Sequence, residues 1–144
     1  MAQLTVNSAP HKSLVIVDDD ISYTSLLTQL LEEHLGCRVF SFSRPREALA
    51  ALPGLDPGVI VTDYEMPGLN GFEFMAEAVR LAPRAPFILI TGHPINDVMH
   101  RLIDASPVKA VVPKPFQWRQ LTDEISKLWP ETGTTLIKAD IASA

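Results

Sequence analysis

Short apolar stretches rich in β-branched residues alternate along the chain with longer segments whose apolar residues recur every three or four positions. The apolar stretches occupy residues 13–17, 37–42, 58–62, 86–91 and 108–112. Three of them contain an unbroken apolar run, which is typical of β-strands that are covered on both faces. The pattern therefore predicts five strands, most of them buried.

The segments between the strands predict amphipathic helices, because apolar residues at i, i+3, i+4 and i+7 share one face of a helix. In the first helix this stripe comprises Tyr23, Leu26, Leu27, Leu30, Leu31 and Leu35. The later helices are expected at residues 44–53, 71–83, 94–105 and 117–129. The stripes of the third and fourth helices comprise Phe72, Met75, Ala76 and Val79, and Ile95, Val98, Met99, Leu102 and Ile103. Asp20 is expected to cap the first helix.

Five repeats of a strand followed by a helix predict an α/β protein, (βα)5, with an open parallel sheet and helices on both faces. Such doubly wound sheets commonly have the flavodoxin-like strand order 2-1-3-4-5, which we expect here. The chain of 144 residues is long enough for one such domain. We place the domain at residues 13–129, between an N-terminal extension (1–12) and a C-terminal tail (130–144).

Composition narrows the range of partners. The chain has a net charge of −5 and no cluster of Lys or Arg residues, which argues against a nucleic-acid surface. No apolar run approaches the ~18 residues of a membrane helix, and the N-terminus does not resemble a secretory signal. We therefore expect no membrane association and a cytoplasmic location. Cys37 is the only cysteine and is interpreted as a small buried apolar group.

Ionisable and hydroxyl side chains follow four of the five predicted strands. Asp18 and Asp19 follow the first strand, Asp63 the third, and Lys114 the fifth, while Thr91 ends the fourth. Because ligands of open α/β sheets bind beyond the carboxyl ends of the strands, these side chains are expected to converge on one site.

Converging carboxylates repel each other unless a cation lies between them. Carboxylate oxygens suit Mg²⁺, which is commonly held by one or two carboxylates together with a phosphate group. Asp63 stands alone after its strand and is the candidate nucleophile, since a carboxylate that attacks phosphorus forms an aspartyl-phosphate. Lys114 and Thr91 would then neutralise and position the phosphoryl oxygens.

In these features the chain resembles the receiver domain of response regulators in two-component signalling. The resemblance rests on Asp18-Asp19, Asp63 with MPGLNG following, Thr91, and Lys114-Pro115-Phe116 in this order, and it covers about residues 13–129. It implies that Asp63 is the phosphoacceptor. It also implies a cis peptide bond between Lys114 and Pro115.

The resemblance further implies a Mg²⁺ site. Asp19 would be a direct ligand and Asp18 would bind mainly through water, together with Asp63 and the backbone carbonyl of Glu65. Thr91 would turn its hydroxyl group towards the phosphoryl group, and Lys114 would pair with it.

A receiver domain would accept its phosphoryl group from a sensor histidine kinase or a phosphotransfer protein. It would then change its affinity for a downstream protein, or for a second copy, through the face formed by the fourth helix, the fifth strand and the fifth helix. One departure from the family is Val111, because receivers often carry an aromatic residue three positions before the lysine. The chain could be a single-domain regulator or the receiver portion of a longer protein.

Two other functions fit parts of the pattern. A Mg²⁺-dependent phosphatase could also work through an aspartyl-phosphate, and Asp63-Tyr64-Glu65 faintly resembles the spacing of its nucleophile and general acid. However, a phosphatase of this kind gives no role to the acids after the first strand. A flavin carrier with a similar sheet would need a Ser/Thr/Gly-rich loop after the first strand, where acids would repel an anionic cofactor.

Overall fold

The computed structural model describes residues 12–130, and these form one α/β unit. Its five parallel strands are β1 (Ser13–Val17), β2 (Arg38–Phe42), β3 (Pro57–Asp63), β4 (Phe87–Thr91) and β5 (Val108–Pro113). Their order in the sheet is β2-β1-β3-β4-β5, which confirms the predicted fold class. Residues 1–11 and 131–144, which hold most of the predicted extension and tail, lie outside the described residues.

A helix follows each strand, as predicted. The helices are α1 (Ile21–Leu35), α2 (Pro45–Ala51), α3 (Gly71–Leu81), α4 (Asp97–Asp104) and α5 (Trp118–Leu128). A single 3₁₀ turn, Leu52–Gly54, extends α2. Within this part of the chain, no helix has both the length and the apolar character needed to cross a membrane.

The central strands are buried on both faces, because alternate side chains enter two separate apolar clusters. On one face Val15 and Leu89 pack with Phe74 of α3. On the other face Leu14 packs with residues of α1 and α5, including Leu31. Complete burial of such a side chain contributes roughly 1.5–3 kcal/mol. The sheet is therefore a firm platform for the loops at its carboxyl edge.

The rotation of α3 differs from the prediction. Its buried residues are Gly71, Phe74, Met75 and Ala78, whereas Ala76 is exposed. The reason lies at Gly71, where an added Cβ atom would be 2.7 Å from the backbone oxygen of Asp63. This close approach turns the start of the helix towards β3, so residues three, four and seven positions later face the sheet.

The predicted stripes of α1 and α4 are only partly buried. Leu26 is 60% exposed on α1, where Thr24 is buried in its place. On α4 only Met99 is buried, and Val98 is 56% exposed. This helix begins after Asn96, which caps it, rather than at the predicted Pro94. Most of the predicted apolar stripe of α4 is therefore exposed or only partly buried.

The first turn of α1 fixes the position of the loop that follows β1 (residues 18–20). Asp20 caps this helix as predicted, because its Oδ1 atom accepts a hydrogen bond of 3.2 Å from the backbone N–H of Tyr23. The Oδ1 atom of Asp18 in turn accepts a 3.0 Å hydrogen bond from the N–H of Asp20. The three consecutive acids therefore have different surroundings, since Asp18 is buried while Asp19 and Asp20 are exposed.

Candidate functional site

A polar pocket of about 660 Å³ opens at the carboxyl edge of the sheet. The strand register aligns the ends that form it: Val17 lies opposite Thr62, and Asp63 lies opposite Ile90. The loops after β1, β3, β4 and β5 all contribute to its walls. Its ionisable lining residues are Asp18, Asp19, Asp20, Asp63, Glu65, His93 and Lys114.

Lys114 and Asp63 form an ion pair in the pocket. The Nζ atom of Lys114 lies 3.1 Å from Oδ2 of Asp63 and 3.7 Å from Oδ2 of Asp18. The backbone N–H of Lys114 also donates a hydrogen bond of 2.8 Å to the carbonyl of Thr91. The peptide bond between Lys114 and Pro115 is cis, as the resemblance implies. The two distances place the ammonium group across the ends of the strands from both carboxylates.

Three carboxylates converge beside this ammonium group. One oxygen atom from each of Asp18, Asp19 and Asp63 lies within 4.8 Å of the others, close enough to share one cation. Asp18 and Asp63 are buried, and Asp19 is exposed on the solvent side. Hard oxygen donors with one open side fit Mg²⁺, which retains some of its water ligands. The residues present therefore fit the metal that the sequence predicts.

The electrostatics of the cluster also favour an added cation. Burial raises the pKa of Asp18 and the charge of Asp63 raises it further, despite the hydrogen bond from Asp20 and the nearby Lys114. Burial alone would lower the pKa of Lys114, but the charges of Asp18 and Asp63 outweigh burial and raise it. One ammonium group thus remains charged but does not fully stabilise the buried carboxylate of Asp18.

Thr91 occupies the end of β4 and is 1% exposed. It lies directly before Gly92 and His93, which line the pocket. Its Oγ1 atom accepts a hydrogen bond of 2.9 Å from the backbone N–H of His93. Because a hydroxyl group can accept and donate at once, this hydrogen bond does not use the hydroxyl proton of Thr91.

The side chains of Glu65 and His93 make a contact that sequence reasoning did not identify. The Oε2 atom of Glu65 lies 2.9 Å from Nε2 of His93, so the loop after β3 is joined to the loop after β4. The imidazole ring also meets the ring of Tyr64 edge-on, with 5.2 Å between centroids. Both residues follow adjacent strands, so the meeting of strand ends brings them near each other, but the contact itself depends on loop conformations that the sequence does not determine.

The family of the chain follows from a match over most of its length. A family model, the response regulator receiver domain, matches residues 14–126. The chain belongs to this family, whose members act in the signal transduction of two-component systems. Receiver domains are signalling phosphoacceptors rather than enzymes, and they bind Mg²⁺ at an acidic pocket.

Two curated relatives come from Bradyrhizobium diazoefficiens. Nodulation protein W is 33% identical over 118 residues, which cover 81% of this chain and 51% of that protein. The transcriptional regulatory protein FixJ is 32% identical over 136 residues, which cover 90% of this chain and 64% of that protein. This chain thus spans about half to two-thirds of the length of these relatives.

Solved structures show the same fold. A CheY-like receiver domain from Methanospirillum hungatei has a TM-score of 0.75 at 25% identity, with 82% of this chain and 93% of that chain covered. The chemotaxis protein CheY4 of Vibrio cholerae has a TM-score of 0.75 at 24% identity, with coverage of 83% and 99%. At 24% identity, the similarity to CheY4 supports the fold alone.

Proposed function

We propose that this receiver domain accepts a phosphoryl group on Asp63 from the phosphohistidine of a sensor histidine kinase or a phosphotransfer protein. The observation that carries the proposal is the 3.1 Å contact between the Lys114 ammonium group and Oδ2 of Asp63. A buried carboxylate at the mouth of a pocket, with a cation beside it, suits attack on an anionic phosphoryl group.

The transfer of the phosphoryl group forms one bond to phosphorus and breaks another. A carboxylate oxygen of Asp63 attacks phosphorus, and a new P–O bond forms as the P–N bond of the phosphohistidine breaks. The electron pair of that bond goes to the imidazole nitrogen, which is left as a neutral histidine once protons have equilibrated with solvent. Lys114 donates hydrogen bonds to the phosphoryl oxygens, and Thr91 does so through its hydroxyl proton.

Asp18, Asp19 and Asp63 would hold Mg²⁺ with their side chains, and Glu65 with its backbone carbonyl. The ion would neutralise the charge on the phosphoryl oxygens. Two features of the chain support this assignment: the three carboxylates lie within reach of one cation, and the pKa of Asp18 is raised.

The output surface that we propose is the α4–β5–α5 face. On α4, Val98 and Leu102 are 56% and 39% exposed, whereas Met99 is buried. The strand β5 lies at the edge of the sheet, and most of its side chains are at least partly exposed. An apolar surface next to Thr91 and Lys114 could bind a downstream protein or a second copy with an affinity that depends on phosphorylation.

The proposal is tested by incubating the protein with acetyl phosphate and Mg²⁺ and measuring its intact mass. We expect one added phosphoryl group in the wild type and none in Asp63→Asn. Asp123→Asn is the matched control, because Asp123 is an exposed residue of α5. Equal labelling of the wild type and Asp63→Asn would reject Asp63 as the acceptor.

A further inference from the structure

A groove of about 480 Å³ lies between α1 and the start of α5. On the α1 side it is lined by Tyr23, Leu26, Leu27 and Leu30, and on the other side by residues 116–119. Leu26 is 60% exposed, although three other leucines of the same helix are buried. The described residues therefore leave an apolar part of α1 uncovered at this groove.

Aromatic side chains form the walls of the groove, and contacts within the domain hold them in place. The ring of Phe116 meets that of Tyr23 edge-on, with 6.0 Å between centroids. The ring of Trp118 meets the imidazole of His34 in the same way at 4.8 Å, and Cζ of Arg119 lies 5.0 Å from the centroid of Trp118. Because the rings are already ordered, an apolar side chain that enters the groove pays little to fix its surroundings.

The chain itself supplies an apolar segment, which continues from the helix that forms one of these walls. The helix α5 ends at Leu128, and the sequence continues for 14 residues after Pro130. Residues 136–141 of the C-terminal tail read LIKADI. Ile137 and Ile141 are four positions apart, a spacing that places two side chains on one face of a helix and also on one face of a strand. Both isoleucines can therefore meet the same surface in either conformation.

The C-terminal tail is long enough to reach the groove. The helix α5 has 11 residues and is about 16 Å long, since each residue adds about 1.5 Å. Residues 131–136 can span about 20 Å when they are extended, so residues 137–141 can lie beside Trp118. A segment tethered by a short linker has an effective concentration in the region of about 1 mM. Weak contacts are then sufficient to hold it.

We propose that the C-terminal tail folds back along α5 and inserts Ile137 and Ile141 into the groove between α1 and α5. This placement brings the carboxylate of Asp140 to the side of the groove where Arg119 lies. Arg119 is exposed and forms no ion pair with the other described residues, so the charges are complementary. The inference concerns the unphosphorylated protein and does not depend on phosphorylation of Asp63.

The first test uses NMR spectra of the full chain labelled with ¹⁵N. Leu26→Asp places a charge in the groove at an exposed position, so the fold is retained. We expect the backbone amide resonances of residues 136–141 to shift in this variant. They should stay in place in Leu81→Asp, the matched control, because Leu81 is an exposed leucine at the end of α3.

Two outcomes of this experiment would overturn the inference. One is a set of resonances for residues 136–141 that is the same in Leu26→Asp as in the wild type. The other is a shift confined to residues 1–11, which would assign the groove to the N-terminal extension.

The reciprocal measurement observes the groove while the C-terminal tail is changed. In Ile137→Asp with Ile141→Asp, the indole ¹H–¹⁵N resonance of Trp118 should shift, because the apolar side chains leave the groove. Thr134→Asp with Ser143→Asp is the control, since it adds the same charge outside residues 136–141 and should leave the resonance in place. A Trp118 resonance that is the same in both double variants would overturn the inference.

Dilution separates insertion within one chain from insertion into a second copy. The resonances of Trp118 and of residues 136–141 in the wild type should not change on tenfold dilution, because a tethered segment keeps its effective concentration. Resonances that move on dilution towards those of the Leu26→Asp variant would show binding between copies and would overturn the proposal.

Discussion

The ammonium group of Lys114 lies 3.1 Å from the carboxylate of Asp63, although the two residues belong to different βα units. The sheet produces this contact, because it places the carboxyl ends of its parallel strands at one edge. The contact links the sequence to function: an anionic ligand that reaches Asp63 meets a cation that is already in place. Several consequences of this arrangement can be measured.

Lys114→Met should slow the labelling of Asp63 by acetyl phosphate. The substitution removes the positive charge that stabilises the phosphoryl oxygens in the transition state, and the loss of one such donor costs about 100-fold in rate. The measurement is the rate of mass increase with Mg²⁺ present. Lys109→Met is the matched control, because Lys109 is an exposed lysine of β5, the strand that Lys114 directly follows. Comparable slowing in both variants would contradict the role of Lys114.

Asp18→Asn should stabilise the protein when EDTA keeps it free of metal. Asparagine can still accept the hydrogen bond from Asp20, but it removes a buried negative charge that Lys114 does not fully compensate. We expect the free energy of unfolding, measured with urea, to rise by about 1 kcal/mol.

Addition of Mg²⁺ should then stabilise the wild type more than Asp18→Asn, because the variant lacks one of the proposed carboxylate ligands. An ion that binds the folded protein more tightly stabilises it more. Asp123→Asn should respond to Mg²⁺ like the wild type. A wild-type protein whose stability does not depend on Mg²⁺ would argue against a metal site at Asp18.

Gly71→Ala should destabilise the protein. An added Cβ atom at Gly71 would lie 2.7 Å from the backbone oxygen of Asp63 and 2.9 Å from Cδ1 of Leu89, so α3 or β3 must move. Overpacking of this kind costs about 1–3 kcal/mol in the free energy of unfolding. Gly54→Ala is the control, because no atom lies within 4 Å of the Cβ position there. Equal stability of the two variants would contradict the close approach of α3 to β3.

Cys37 should react slowly with iodoacetamide in the folded protein. Burial, aided by the charge of Glu32, raises the pKa of its thiol from 9.0 to about 11. Because the pKa is about 11, Cys37 stays in the unreactive thiol form at pH 8. Only about one molecule in a thousand carries the thiolate at that pH. The alkylation rate should therefore rise towards pH 11. A rate that levels off near pH 9 would contradict this prediction.

The sequence predicts the sheet well because burial of strands on both faces leaves continuous apolar runs, as in residues 59–61. It also predicts the convergence of Asp18, Asp63 and Lys114, because strand ends meet at one edge in any parallel sheet. Both inferences need only the order of the elements and general rules of topology.

The sequence does not predict features that depend on exact rotation or on contacts between loops. Periodicity placed Phe72 and Ala76 in the apolar stripe of α3, but the close packing of Gly71 turns the helix so that Phe74 and Ala78 are buried instead. The contact between Glu65 and His93 likewise depends on two loop conformations and two side-chain rotamers. No spacing along the chain records these.

Val111 bears on how phosphorylation of Asp63 would be transmitted to the proposed output face. Val111 lies in β5, partly buried against the apolar cluster on the α3 side of the sheet. Valine has no ring that could change position with Thr91. By contrast, His93 is bonded through its backbone to Thr91 and contacts the ring of Tyr64. Thr91 and His93 lie at the end of β4 and just after it, in the segment that leads to α4.

The most direct test of the account is to locate the phosphoryl group chemically. Borohydride reduces an acyl phosphate of aspartate to homoserine, which peptide mass spectrometry can assign to a position. After labelling with acetyl phosphate and Mg²⁺, we predict homoserine at position 63, and none when EDTA replaces Mg²⁺. Homoserine at position 18 or 19, or at 63 regardless of the metal, would contradict the account.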